Sequence, residues 1–145
     1  MNLDRYTLHG DEKSTVFRFE STGPRGKIQK VIQFELIEEG YYNLAFGDFD
    51  PLTSRINDRS VSNNQDTEKV LATVTAALFR FFDDYPEAVV YAEGSSNART
   101  RLYQMGISRF YEEACSKLFL FGQVNGSFTP FVPGESYCAF LVKRK

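Results

Sequence analysis

At 145 residues the chain is the size of one domain, and such a domain buries roughly two-thirds of its unfolded surface. A net charge of −2 excludes the strong basic excess on which non-specific nucleic-acid binding feeds, and no apolar run approaches the roughly 20 residues of a membrane span. With 14 Phe and no Trp, the expected core is aromatic and free of buried polar ring atoms.

The first thirteen residues read as a peripheral segment. Met1 to Tyr6 lack the apolar stretch of a signal peptide, so a soluble, cytoplasmic protein is expected. His9, the single histidine, lies there, which argues against a His-based nucleophile system or zinc site. From Thr15 to Glu20 apolar and polar residues alternate, with Phe17 and Phe19 on one face of a strand. The Ser21–Gly26 stretch carries turn residues, and Ile28–Ile37 follows as a second strand with Ile32, Phe34 and Leu36 on one face. Gly40 turns the chain into a third strand marked by Tyr42, Leu44 and Phe46.

Gly47 to Asn64 shows no periodicity and reads as a long irregular connection. A helix follows, with Val70, Leu71, Val74, Ala77, Leu78, Phe81 and Phe82 at helical spacing. Asn64 or Asp66 would cap it, Asp66 and Glu68 would complement its dipole, and Pro86 would end it. Val89–Ala92 is apolar without alternation, as a strand covered on both faces would be. A second helix carries Tyr103, Ile107, Phe110 and Ala114 on one stripe and runs to about Lys117. Leu118–Val124 and Tyr137–Lys143 are the closing strands, with Asn125-Gly126 a turn. The order is β-β-β-α-β-α-β-β, an α+β fold with a mixed sheet. Cys115 and Cys138, lacking CxxC spacing, read as small buried apolar residues.

The join between Val89–Ala92 and the second helix is the best local site candidate. Gly94, Ser95, Ser96 and Asn97 open the helix, and Arg99 and Arg101 add two guanidinium groups, a combination suited to a small anion. A plain Ser/Asn cap with two solvated arginines would give the same pattern. Asp48, Asp50 and Asp58 could reach a hard cation, and Asp48 with Glu93 could form a carboxylate pair at neighbouring strand ends, although the spacing fits no calcium loop. The cluster Arg25, Lys27 and Lys30 and the end Lys143-Arg144-Lys145 read as solvated surface. Phe119, Phe121, Phe128 and Phe131 read as core or edge packing, with a dimer contact the sharper alternative.

The element order, with Ala98, Leu102, Tyr103 and Gly106 spaced after Asn97 and Ile107 in place of an aromatic, resembles the GNAT (Gcn5-related N-acetyltransferase) fold over roughly residues 14–143. That resemblance implies acetyl-CoA as cofactor, Tyr103 as the acid that protonates the departing thiolate, and Asp48 or Glu93 as base. Three features depart from it. The two initial helices have no room. The glycine-rich pyrophosphate loop is replaced by Asn64-Gln65-Asp66-Thr67-Glu68-Lys69, which puts negative charge where an anion would sit. The helical pattern also continues past Gly106. The expectation is a GNAT-like domain that binds a small anionic ligand or a protein partner without conventional acetyl-CoA chemistry. An active N-acyltransferase is the alternative, and a ribonuclease-H-like nuclease with magnesium on Asp48 and Glu93 the third. Ser62-Asn63-Asn64-x-Asp66-Thr67-x-Lys69-Val70-Leu71-Ala72-Thr73-Val74 and Gly94-Ser95-x-x-Ala98-Arg99-Thr100-Arg101-Leu102-Tyr103 are similar to a family of uncharacterised bacterial proteins, mainly from Bacteroidetes, which implies one domain and no particular activity.

Overall fold

Alternation in the first half of the chain is realised as three long antiparallel strands. The computed structural model describes residues 5–57, 65–94 and 96–145. A two-residue strand β1 (His9–Gly10) precedes β2 (Val16–Gly23), β3 (Gly26–Glu38) and β4 (Tyr41–Asp50). Pro24 and Arg25 close the β2–β3 hairpin, and Gly40, at φ 82°, closes the next, a conformation glycine adopts without strain. Register lines up Phe17, Ile32 and Phe46 in one row and Phe34 with Leu44 in the next, so the aromatic residues of three strands form one apolar face. Leu36 keeps the alternation but lies beyond that core and is 63% exposed.

The remaining elements are β5 (Arg55–Asn57), α1 (Thr67–Asp84), β6 (Val89–Ala92), α2 (Asn97–Arg109), α3 (Tyr111–Lys117), β7 (Leu118–Val124), β8 (Ser127–Pro130) and β9 (Phe140–Arg144). The molecule is therefore α+β, its described residues forming a mostly antiparallel mixed sheet in the order β1-β2-β3-β4-β6-β9-β7-β8 and three helices. Val70, Ala77, Phe81 and Phe82 of α1, Tyr103 of α2 and Ala114 of α3 join one cluster with Phe17, Phe19, Phe46, Val90 and Phe140. Burying such a face is the main stabilising term, at about 25 cal/mol per Å² of apolar area. Phe34 stacks on Phe81 at 4.2 Å, and Phe81 on Tyr85 at 4.8 Å. No helix among the described residues is long and apolar enough to cross a membrane.

Several expectations are corrected. The stretch from Gly47 is not irregular from its start: β4 runs on to Asp50, and β5 pairs back onto Asp48–Asp50. Strand β3 already occupies the opposite edge of β4 at Asp48, so β5 lies on the edge that faces β6. The single second helix is two, parted at Phe110, whose N–H still bonds Gly106 O at 3.1 Å. The last strand starts at Phe140 rather than Tyr137, and β8 adds an edge strand. Asp66 holds the N-cap position of α1 but makes no capping bond with its side chain. It accepts instead from Tyr6 Oη and Ser21 Oγ, each at 2.5 Å. Tyr6 also stacks on Phe19 at 5.5 Å, so the chain is packed onto the body at that residue. Asn64, the other proposed cap, lies outside the described residues. Cys138 is exposed and Cys115 half-buried, where both were expected in the core.

Candidate functional site

A short strand and an early exit create the cleft. β6 pairs with β4 in parallel over only three residues, Tyr41–Asn43 against Val89–Tyr91, and leaves the sheet after Ala92. β9 lies between β6 and β7, with Phe140 opposite both Ala92 and Gly122. Beyond that row the β7 side continues: Gln123 N donates to Ala139 O at 2.9 Å, and Cys138 N to Gln123 O at 3.1 Å. β6 has by then turned through Glu93 and Gly94 into α2. The space between the departing strand and the continuing ladder is an open cleft of about 1030 Å³.

One wall is the predicted corner. Glu93, Gly94, Ser96, Asn97 and Arg101 all line the cleft. Ser95 lies outside the described residues, and of Arg99 only the backbone, within α2, is described. The Gly94 amide is not open to a ligand, because it donates to Thr100 Oγ1 at 3.0 Å. Thr100 Oγ1 in turn donates to Ser96 O at 3.1 Å, which closes the turn with a side chain. Arg101 is exposed and makes no hydrogen bond or ion pair among the described residues. Glu93 accepts from Tyr91 Oη at 2.5 Å. Burial first, and then that hydrogen bond, pushes Tyr91 up to about 12.

The opposite wall comes from the end of β7 and the 134–138 segment: Gln123, Val124, Asn125, Ser136, Tyr137 and Cys138. Gln104 joins the walls, donating from Nε2 to Glu135 O at 2.5 Å and accepting at Oε1 from Tyr137 N at 3.1 Å. The Tyr137 ring packs over Gly122 and against Phe131 at 5.2 Å, while its oxygen accepts from Val132 N at 2.9 Å. Sequence reasoning missed this wall. Its only signal was Gly122, a glycine inside an aromatic strand, where another group must approach closely.

The other proposed groups stand elsewhere. Tyr103, 8% exposed, borders a separate apolar cavity of about 60 Å³ shared with Leu44, Leu71 and Gly106. Asp48 pairs with Lys30, which is 5% exposed, in the row of Phe19. Asp50 accepts from Leu52 N at 2.9 Å in a tight turn, and Asp58 lies outside the described residues. Tyr103, Asp48 and Glu93 are thus distributed over a cavity, an ion pair and the cleft. Among the described residues no group of three or more His, Cys, Asp or Glu is placed to hold a metal ion.

A family model described as a family of unknown function (DUF6934) matches residues 2–145. Comparison with curated proteins and with solved structures gave no match.

Proposed function

The chain belongs to the DUF6934 family, and we propose that this member is a GNAT-like binding domain whose cleft between α2 and the β7–β9 corner takes a small anionic ligand. The carrying observation is the cleft itself. At about 1030 Å³ it is at the top of the range for ligand sites, and its wall includes Arg101, a guanidinium with no partner among the described residues. The GNAT-like part rests on the chain path of three long antiparallel strands, a helix, a strand parallel to the third of them, more helix and three closing strands. Binding is preferred to acyl transfer because Tyr103, Asp48 and Glu93 do not share one site. β5 also pairs with the part of the β4 edge where a cofactor between β4 and β6 would extend.

The test is a thermal-shift screen of phosphates, nucleotides and organic acids, repeated on Arg101→Gln. A ligand present at about a hundredfold over its Kd stabilises by ~2.7 kcal/mol, which raises Tm by roughly 5–11 °C for a domain of this size. Stabilisation by at least one anion, lost in Arg101→Gln, is expected. No shift with any of them at millimolar concentration overturns the proposal.

A further inference from the structure

We infer that the ligand of this cleft is a zwitterion of the short-peptide class, its carboxylate on Arg101 and its ammonium group on Glu93, a refinement that rests on the binding role proposed above. Glu93 and Arg101 are the acid and the base among the described residues of the lining. They face one cleft yet do not pair with each other. Glu93 takes only the Tyr91 hydroxyl, which orients the carboxylate without neutralising it, and Arg101 takes nothing. A simple anion on Arg101 leaves the Glu93 carboxylate without a cationic partner. A ligand carrying both signs satisfies both groups, and each charge-assisted hydrogen bond strengthens as water is displaced.

The rest of the lining fits the body of such a ligand. Asn97, Gln104, Gln123 and Asn125 bring side-chain amides, which both donate and accept as peptide groups do. Gln104 is already committed to a backbone carbonyl and a backbone N–H of its own chain, the same pair of functions a bound peptide would present to its neighbours. The volume of about 1030 Å³ is far more than one amino acid occupies, which favours a few linked residues.

The experiment is an NMR titration of the full chain with trialanine, N-acetyl-trialanine, trialanine amide and succinate, followed at the amides of Gly94, Gln123 and Asn125. Trialanine should bind about fivefold or more tightly than either blocked peptide, the scale of one part-exposed charge pair. Glu93→Gln should erase the discrimination against the acetylated peptide only, and Arg101→Gln the discrimination against the amide only. If free and blocked peptides bind alike while succinate still shifts these resonances, the zwitterion is refuted and the anion-binding role stands. If no probe shifts them, the zwitterion is refuted, and the anion-binding role falls with it when the phosphates and nucleotides of the thermal-shift screen also fail.

Discussion

Gly122→Ala is the sharpest test of how the cleft wall is built. A Cβ at position 122 would sit 2.2, 2.4 and 2.6 Å from Cδ1, Cγ and Cε1 of Tyr137. Carbon atoms make ordinary contact at about 3.5 Å, so the ring must retreat by more than 1 Å, roughly along its own normal. It has nowhere cheap to go, being held by Phe131, by Phe140 at 6.2 Å, by Val132 N on its oxygen and by Gln104 on its backbone N–H. Overpacking of this kind costs about 1–3 kcal/mol, and losing one hydrogen bond adds about 1 kcal/mol. Alanine recovers roughly 0.5–1 kcal/mol of backbone entropy relative to glycine, leaving a net loss of about 2–3 kcal/mol. Urea unfolding of Gly122→Ala, Tyr137→Ala and the double variant measures it, since the clash exists only when both groups are present. The double variant should be less destabilised than the two single losses added together, by about 2 kcal/mol. A Gly122→Ala protein within about 0.5 kcal/mol of the parent would refute the close approach of this ring to the strand.

Four further outcomes follow from other contacts. Asp48→Ala should cost about 1–3 kcal/mol by removing the carboxylate paired with the buried Lys30 ammonium, whereas Lys30→Met with Asp48→Leu should stay within about 1 kcal/mol, both read by urea unfolding. Tyr91 should titrate late in an ultraviolet pH titration, at about 12, and Glu93→Gln should lower it in part, burial keeping it above the ordinary value. Because its folded value is raised, the stability it contributes is complete below pH 10 and is lost as pH climbs to about 12. Gly106→Ala should stabilise by about 0.5–1 kcal/mol, the helix-propensity gain, because the tightest contact of the new methyl is Leu71 Cδ2 at 3.2 Å and Leu71 borders the small cavity into which it can shift; destabilisation on urea unfolding would refute that. Gln104→Ala should raise amide hydrogen exchange across residues 134–138 about tenfold with Tm nearly unchanged, and unaltered protection would show that the loop is held by other contacts.

Much of the sheet and α1 was legible because one short-range rule governs each. Phe17 and Phe19, Ile32 and Phe34, and Leu44 and Phe46 alternate because each strand has one face on the core, and Val70 to Phe82 repeat at helical spacing for the same reason. The β5 hairpin was hidden by Asp50-Pro51, which reads as a terminator; here Asp50 Oδ1 takes Leu52 N and the chain doubles back onto the same strand. The break at Phe110 has no Pro or Gly to announce it, since Phe110 keeps a backbone bond to Gly106 and stays buried. Cys138 was misplaced by starting the final strand three residues too early. It precedes the first residue to enter between β6 and β7, and so its side chain reaches the cleft instead of the core.

The candidate site shows the same division between local and long-range information. Glu93 to Arg101 is contiguous, so a strand end, a helix start and Arg101 could be read directly as one wall. The facing wall depends on a pairing decision made about 45 residues later, when β9 inserts between β6 and β7 instead of adding at the outside of β7. Had β9 added at the edge, β7 would pair with β6 directly, and Tyr137 and Cys138 would lie a strand further from α2. Nothing in the Phe140–Arg144 pattern distinguishes the two arrangements, because Phe140 and Val142 would be buried in both. In the observed arrangement Phe140 to Lys143 is paired on both sides, with β6 on one and β7 on the other. The cleft is the consequence of that choice, and its chemistry is set by where β6 stops.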